Sequence, residues 1–329
     1  MGNKKLIAAL VVILWFQFSI FNSAHAQGGK YDNPDTIVVS RDGTGDFRTI
    51  DEAIEVCRAF MEYHKVIYVK NGVYKEKLII PSWLTNIELC GESADGTIIT
   101  YDDHANINKM GTFRTYTLKI EGCDITVKNI TIENNAAKLG QAVALHTEGD
   151  RIKFIGCRLL GNQDTVYTGM GGTRLYFYDC YIEGTTDFIF GPSTAWFEKC
   201  TILSKADSYI TAASTPQGQK YGYIFHNCTL TAAPGVTKCY LGRPWRQYAY
   251  TLFIDCKLGA HILPVGWNDW KKDHATIRYM EYNNHGAGAS TSQRADWTRQ
   301  LTKKEALQIT PETVFADKLT NWQIDKLTN

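Results

Sequence analysis

The sequence predicts an all-β protein, a right-handed parallel β-helix (solenoid), and two observations carry that prediction. A phrase of the form apolar-x-x-Cys-x-apolar recurs six times, and phenylalanine opens five of the six copies. The repeated units also lack helical periodicity, which favours coils of β-strands. We therefore expect each coil to lay its strands about 4.8 Å from those of the coil before. The cysteines of the phrase, spaced by 34, 23, 20, 28 and 28 residues, are Cys123, Cys157, Cys180, Cys200, Cys228 and Cys256.

The first elements are predicted from local patterns. Ile37-Val38-Val39-Ser40 is typical of a strand, and a turn is expected at 41–46. Thr49 and Glu52 form a capping box, which predicts a short helix from Asp51 to about Phe60. Such a helix would close the N-terminal end of the solenoid, because the end coils of a repeat fold need a cap.

The coils are expected to begin at Val66-Ile67-Tyr68-Val69 and to turn at Asn71-Gly72-Val73-Tyr74. Further short strands are predicted at 87–90, 97–100 and 117–120. Beyond Trp270 the repeat fades, and the Gly-, Asn- and Ser-rich segment 279–293 is predicted to be a long loop. A helix is expected at 302–308, so the chain should end in a loop and helix segment whose last residues fold back or fray.

Length and composition indicate a globular protein with a large core. Of the 329 residues, 44% are hydrophobic and 21% are charged, with a formal net charge of +1. That balance gives no reason to expect nucleic acid or an acidic membrane surface as a partner. The chain is expected to be a monomer.

The N-terminus is typical of an export signal. Lys4 and Lys5 precede an apolar run from Leu6 to Phe21, and Ala24-His25-Ala26 supplies the small-x-small pattern of a cleavage site. A retained membrane anchor fits less well, because the run is short for a span. The expected organisation is a signal peptide at 1–26 and one domain at 27–329 with its core at about 37–316. The mature chain would be periplasmic or extracellular and not bound to a membrane.

Nine cysteines in an exported chain leave two interpretations open. Disulfides are common in exported proteins, and adjacent coils bring Cα atoms within bridging range. Their place in the repeated phrase favours the other interpretation, in which each thiol is a small buried hydrophobic group stacked on the next.

Two carboxylates in strand-rich surroundings are candidates for chemistry. Gln163-Asp164-Thr165-Val166-Tyr167 and Thr186-Asp187-Phe188-Ile189-Phe190-Gly191 each set one Asp near a predicted strand end. Asp164 and Asp187 are 23 residues apart, about one coil, so they would lie roughly 5 Å apart if both point outward. Two carboxylates so close should differ in ionisation, which would separate an acid from a nucleophile.

Each candidate residue also has a purely structural interpretation. An Asp near a turn is often an Asx-type hydrogen bonder, and Gln141 and Gln163 could form an amide ladder inside the solenoid. Arg243 could be a solvated surface charge. Trp245 and Trp267 could be core residues, and for Trp270 core packing is the preferred interpretation.

Four motifs, in order and at comparable spacing, resemble those of the pectin methylesterases, also called pectinesterases. The likeness covers about 37–315 and departs at Val166, where the family usually carries Leu. The motifs are Gln141-Ala142-Val143-Ala144-Leu145, Gln163-Asp164-Thr165-Val166-Tyr167, Asp187-Phe188-Ile189-Phe190-Gly191 and Leu241-Gly242-Arg243-Pro244-Trp245.

The resemblance implies removal of C6 methyl esters from homogalacturonan, giving methanol and pectate without a metal or other cofactor. It implies Asp187 as nucleophile and Asp164 as general acid and then base. Gln141 and Gln163 would be the oxyanion donors, and Arg243 the partner of Asp187. The expected substrate-binding residues are Trp245, Tyr167, Phe188 and Trp267.

Two rival functions remain open. The first is another pectin-active β-helix, either a calcium lyase using acids such as Asp102 and Asp103 or a polygalacturonase, whose motif resembles Arg151-Ile152-Lys153. The second is a noncatalytic carbohydrate-binding solenoid, which would need an aromatic face but no paired acids. The sequence contains no Gly-x-Ser-x-Gly stretch and no zinc-ligand spacing.

Overall fold

Short β-strands dominate the computed structural model, which describes residues 29–315. The predicted signal peptide at 1–26 and the last fourteen residues, 316–329, lie outside the described residues. The strands are β1 (Ile37–Val39), β2 (Lys65–Val69), β3 (Gly72–Lys75), β4 (Leu78–Ile80), β5 (Ile87–Gly91), β6 (Thr97–Tyr101), β7 (Leu118–Ile120), β8 (Thr126–Lys128), β9 (Thr131–Asn134), β10 (Leu145–Thr147), β11 (Ile152–Ile155), β12 (Arg158–Leu160), β13 (Val166–Thr168), β14 (Arg174–Tyr178), β15 (Tyr181–Gly184), β16 (Ile189–Gly191), β17 (Thr194–Glu198), β18 (Thr201–Ser204), β19 (Tyr209–Ala213), β20 (Tyr223–His226), β21 (Thr229–Ala232), β22 (Tyr240–Gly242), β23 (Tyr250–Ile254), β24 (Lys257–Leu258), β25 (Arg278–Tyr282) and β26 (Arg299–Gln300).

The strands form three parallel sheets, and successive strands visit the three sheets in turn. The eleven-stranded sheet has the order β1-β2-β5-β8-β11-β14-β17-β20-β23-β25-β26. The eight-stranded sheet runs from β24 to β3 and the seven-stranded sheet from β22 to β4, each with every third strand of the chain. Such a cycle is a parallel β-helix, so the predicted fold class is confirmed.

The phenylalanines of the repeated phrase stack into one interior ladder. Their ring centroids are 4.7, 4.5, 4.4 and 4.5 Å apart along the series Phe154, Phe177, Phe197, Phe225 and Phe253. All five side chains are fully buried, and the planes differ by no more than 11°. The ring spacing is close to the strand spacing, so each coil adds one ring to the stack.

All nine cysteines are free thiols, and seven of them are buried. In the ladder, the Sγ atoms of Cys180 and Cys228 donate to the carbonyl oxygens of Phe154 and Phe197 in the preceding coil, at 3.4 and 3.3 Å. Each thiol thus behaves as a small buried group with one weak hydrogen bond. The packing interpretation holds, and the disulfide interpretation is wrong.

In the five phrases that open with phenylalanine, the residue before the cysteine turns the chain from the eleven-stranded to the eight-stranded sheet. It has a left-handed backbone with φ of 60°, 51°, 54°, 54° and 52° at Gly156, Asp179, Lys199, Asn227 and Asp255. Gly, Asn and Asp tolerate this region, and Lys199 is the exception in the series. The turn therefore recurs in the same place whatever the coil length.

Helices cover both ends of the described chain. Helix α1 (Ile50–Glu55) has the predicted Thr49 and Glu52 capping box and packs on the first coil, but it is shorter than predicted. Helix α2 (Lys303–Ala306) confirms the helix expected near 302–308. Helix α3 (Pro311–Phe315) follows, and its Val314 and Phe315 pack on the outer face of the eleven-stranded sheet. Three single 3₁₀ turns lie at Ile107–Lys109, Thr112–Arg114 and His274–Thr276.

Two predicted irregular segments are strands. Asn71–Tyr74 was expected to be a turn, but β3 pairs with β6 from Gly72 to Lys75. The predicted loop at 279–293 contains most of β25, which pairs with β23. Backbone pairing with the neighbouring coil stabilises a strand in both places, although the local composition favours turns. Among residues 29–315, no helix is long and apolar enough to cross a membrane.

Candidate active site

Asp164 and Asp187 occupy equivalent positions on neighbouring coils at one edge of the seven-stranded sheet. Each lies two residues before a strand, and the two strands pair with Val166 opposite Ile189. The backbone N–H of Asp164 donates to the carbonyl of Thr186 at 3.1 Å, which continues the ladder to the carboxylates. Neighbouring strands are about 4.8 Å apart, so the pair lies one strand spacing apart, as the repeat length predicts.

Both acidic residues have a left-handed backbone. The φ angles are 65° at Asp164 and 49° at Asp187, a region that Asp adopts more readily than most residues. A left-handed residue ahead of a strand changes the direction of the chain. The Asp side chain therefore does not follow the inward–outward alternation of the strand residues. The same left-handed turn therefore orients both carboxylates.

The pair is buried, and Arg243 is its cationic partner among the described residues. Asp164 and Asp187 are only 8% and 7% exposed. Arg243 is the residue directly after β22 and lies two coils beyond Asp187. Its Nε donates to Oδ1 of Asp187 at 2.9 Å, and its Nη2 donates to Oδ2 of Asp187 at 2.6 Å. This two-pronged contact matches the planar guanidinium to the carboxylate, the geometry of a strong charge-assisted pair.

The two carboxyl groups differ in proton affinity. Burial and the nearby charge of Asp187 raise the pKa of Asp164 to about 8, although Arg243 opposes the shift. Burial also raises the pKa of Asp187 above its ordinary value, but the hydrogen bonds and positive charge of Arg243 oppose that rise. Asp187 is thus the group held in the ionised form, and Asp164 is the group that keeps a proton near neutral pH.

Two aromatic rings hold the arginine that contacts Asp187. The guanidinium carbon of Arg243 lies 4.0 Å from the ring centroid of Tyr209 and 3.7 Å from that of Trp270. Trp270 is 38% exposed, so its interpretation as a core residue is wrong. Its position in an irregular segment after Trp267 gives no periodicity from which this contact could be predicted.

Gln141 and Gln163 lie on successive coils beside the pair, because the N–H of Ala142 donates to the carbonyl of Gln163 at 3.1 Å. Both side chains are half-buried. Neither amide forms a side-chain hydrogen bond to a residue in the described range, so both retain N–H groups for a ligand. Gln163 also lines a cavity of about 250 Å³ together with Lys138, Asn162 and Thr186.

An aromatic surface continues from the acid pair along the seven-stranded sheet. The rings of Tyr167 and Phe190 are 4.9 Å apart, and Trp245 lies 5.9 Å from Phe190. Phe113, which the sequence did not single out, is 46% exposed and lies 4.8 Å from Tyr167. Aromatic faces of this kind suit the apolar face of a sugar ring.

Two predicted substrate-binding residues belong to the interior instead. Phe188 and Trp267 are 0% and 2% exposed and pack in the main hydrophobic core. The left-handed turn at Asp187 directs Phe188 inward, and the Nε1 of Trp267 donates to buried Glu281 at 3.1 Å. Neither side chain reaches the surface that carries the acid pair, so these two assignments are wrong.

The residues behind the rival interpretations are engaged in ion pairs. Lys75 contacts Asp102 at 3.0 Å, and Lys77 contacts Asp103 at 2.5 Å. Arg151 pairs with acidic neighbours at 2.6 and 2.9 Å. Within residues 29–315, no group of three or more His, Cys, Asp or Glu side chains is arranged to hold a metal ion.

The fold and the site define a class: a parallel β-helix with a buried carboxylate pair and an arginine fork at one sheet edge. The sequence profile of the family described as Pectinesterase matches residues 36–318. The chain belongs to the pectinesterase family.

Relatives with known names or structures agree with that membership. A probable pectinesterase/pectinesterase inhibitor of Brassica napus is 38% identical over 314 residues, which cover 90% of this chain and 53% of the relative. The structure of pectin methylesterase from carrot has a TM-score of 0.83 and 31% identity, covering 90% of this chain and 97% of the carrot chain. A pectin methylesterase solved in complex with a hexasaccharide has a TM-score of 0.77 and 33% identity, covering 85% and 97%. The chain spans about half the length of the first curated relatives it matches.

Proposed function

We propose that this chain hydrolyses the C6 methyl esters of pectin, releasing methanol and leaving the polysaccharide backbone intact. The observation that carries the proposal is the buried carboxylate pair, in which Arg243 binds Asp187 and Asp164 has a pKa of about 8. Membership of the pectinesterase family supports the same reaction. An ionised nucleophile beside a protonated acid is the combination that acyl transfer to a carboxylate requires.

In the first step, the Asp187 carboxylate attacks the ester carbonyl carbon, and the carbonyl oxygen takes the negative charge. The amide N–H groups of Gln141 and Gln163 donate to that oxygen, a stabilisation in which each donor is typically worth about 10² to 10³ in rate. The tetrahedral intermediate collapses to an acyl-Asp187 anhydride. The proton of Asp164 goes to the departing methoxide, which leaves as methanol.

In the second step, water attacks the acyl carbon of the anhydride. Asp164, now a carboxylate, takes a proton from that water and so returns to its starting state. The second tetrahedral intermediate releases the galacturonate carboxylic acid, and Asp187 regains its charge beside Arg243. Arg243 acts throughout by fixing the orientation of the Asp187 carboxylate.

The surface around the pair suits a polyuronide. Tyr167 and Trp245 offer aromatic faces on one side, packed around buried Phe190, with exposed Phe113 beside them. On the other side, Lys138 lines the cavity next to Gln163 and makes no ion pair with a described residue, so it can meet a free uronate carboxylate. The solved relative in complex with a hexasaccharide supports an oligosaccharide ligand here.

The cellular setting is also proposed. Residues 1–26 have the pattern of a cleaved export signal, and we infer a mature, single-domain monomer that acts outside the cytoplasm, in the periplasm or beyond the cell. Mass spectrometry of the N-terminus of the exported protein would test this, because cleavage after Ala26 predicts Gln27 as the first residue.

The reaction is tested by treating highly methylated pectin with the purified mature chain in excess chelator. Methanol, reducing ends and unsaturated uronides are followed together, and methanol alone is expected to rise. Reducing ends would instead indicate a glycosidase, and unsaturated ends a lyase. Silence in all three measurements would favour a carbohydrate-binding solenoid.

A further inference from the structure

A second cavity, of about 340 Å³, lies on a different face of the solenoid from the acid pair. Its floor is the outer surface of the eleven-stranded sheet, where Tyr176, Trp196 and Tyr282 present their rings from β14, β17 and β25. Its wall is the C-terminal segment from Ala306 to Glu312. The seven-stranded sheet, which carries the candidate active site, contributes no residue to the lining.

The lining of the cavity is acidic. Glu198, Asp255 and Glu312 supply three carboxylates to its lining, and His226 lies between the first two, 2.7 Å from Glu198 and 3.8 Å from Asp255. No Lys or Arg is among the described lining residues. The cavity therefore attracts positive charge, unlike the site beside Lys138.

Glu198 is a buried carboxylate fixed in place by its neighbours. It accepts hydrogen bonds from Trp196 Nε1 at 3.0 Å, from His226 at 2.7 Å and from Asn227 Nδ2 at 3.3 Å. Burial alone would raise the pKa of Glu198, but the hydrogen bonds from His226 and Trp196 lower it below its ordinary value. The anion is therefore pre-organised, so a cation binding beside it need not pay for reorientation of the carboxylate.

A further polar group, the hydroxyl of Tyr176, borders the cavity. Tyr176 is 1% exposed and lines the cavity, yet its hydroxyl makes no hydrogen bond to another described residue. A hydroxyl group both donates and accepts hydrogen bonds, so it can pair with a polar group that enters the cavity. A ligand in the cavity can supply the partner.

We propose that this cavity binds an aliphatic ammonium group, of the kind carried by a small diamine or by a lysine side chain. The ammonium N–H groups donate hydrogen bonds to the carboxylates of Glu198 and Asp255, and the hydroxyl oxygen of Tyr176 accepts a hydrogen bond from a third N–H. The methylene stem packs against Trp196 and Ile254, and the aromatic faces add a cation–π contribution. This site is independent of the ester hydrolysis proposed above.

Calorimetric titration of the full mature chain with 1,4-diaminobutane tests the proposal. Saturable binding with Kd of about 1 mM or tighter is expected, and 1,4-butanediol, which has the same stem without charge, should not bind. Glu198→Gln should weaken diamine binding by about tenfold or more. Tyr176→Phe, which keeps the ring, should weaken it by about threefold. Glu62→Gln, at an exposed acid outside the cavity, is the matched control and should change nothing.

A second titration with Nα-acetyl-lysine amide separates the two sources of the ammonium. Tighter binding of the diamine assigns a free amine, and tighter binding of the lysine derivative assigns a protein side chain; either result supports the site. The proposal is overturned if neither amine binds, if the diol binds as well as the diamine, or if Glu198→Gln, shown to be folded by circular dichroism, binds like the unmodified chain.

Discussion

The guanidinium of Arg243 stacks on the ring of Trp270 at 3.7 Å while both of its prongs reach the Asp187 carboxylate. The two residues come from different elements, since Arg243 follows β22 and Trp270 lies in the irregular segment before β25. An arginine spanning two coils is long and flexible, and a ring against its face restricts the orientations it can adopt. We therefore expect Trp270 to act by positioning Arg243.

Trp270→Ala is expected to lower kcat about tenfold, the effect of losing a cation–π contact of about 1–2 kcal/mol. KM should change little, because the ring acts through Arg243. Trp270→Phe should restore most of the rate by supplying another aromatic face. Trp83→Ala, at a more exposed tryptophan that follows β4 at the far end of the seven-stranded sheet, is the control. A rise in KM with unchanged kcat would show that Trp270 binds sugar directly.

Arg243→Lys should be nearly as harmful as Arg243→Ala, with kcat falling about 100-fold or more in both, since one ammonium cannot reproduce the fork. Initial rates of methanol release measure this. Arg246→Lys, at the neighbouring exposed arginine that stacks on Trp245 at 4.6 Å, keeps its charge and should retain nearly full activity. A mild effect of Arg243→Lys would mean that charge alone is sufficient at this position.

Asp187→Asn should abolish turnover, and Asp164→Asn should lower it severely, by about 10² or more on methyl esters. With an activated aryl ester the loss at Asp164 should be smaller, because a good leaving group needs less acid assistance. Asp179→Asn is the matched control, as Asp179 has the same left-handed backbone with φ of 51° outside the site. Retention of a tenth of the rate by Asp187→Asn would contradict its role as nucleophile.

Stability should fall as pH rises, and Asp164 should account for the fall. Its pKa is about 8 in the folded chain against an ordinary value of 3.8, so the folded state binds a proton that the unfolded state releases. Between about pH 4 and 8 the contribution should decrease by up to about 1.4 kcal/mol per pH unit, and it should level off above pH 8. Urea unfolding at several pH values measures this slope. In Asp164→Asn, the decrease of the unfolding free energy with pH should be smaller by the same amount. An identical slope in the variant would show that other groups dominate the pH dependence.

Thiol titration of the denatured, unreduced protein should find all nine cysteines free. In the native state, the seven buried thiols should react far more slowly than Cys90 and Cys123, which are partly exposed. Buried groups are protected because reagents reach them only when the coils open. Detection of a single free thiol after denaturation would contradict the packing of the cysteine ladder.

The sequence predicted the repeat well because each phrase carries several signals at once. In Phe177-Tyr178-Asp179-Cys180, for example, Phe177 and Cys180 point inward, and Asp179 between them tolerates the left-handed turn. It also predicted the acid pair, since one coil length separates the two residues. Phe188 was misjudged because the left-handed residue before it breaks the period-two alternation from which facing is inferred. The strand at Arg278–Tyr282 was missed because pairing with the neighbouring coil, which local composition does not reveal, stabilises it.

The carboxylate pair exists because one position is repeated a single coil later, and this sets a limit on how the protein can change length. A coil inserted between residues 164 and 187 would move the two carboxylates two strand spacings apart, roughly 10 Å, and end their electrostatic contact. A coil inserted between 187 and 243 would take the arginine out of reach. Extra coils before Gln141 or after Trp270 would leave every one of these distances unchanged. The solenoid can therefore be extended from either end by evolution or by design, whereas its middle is a segment of constant length.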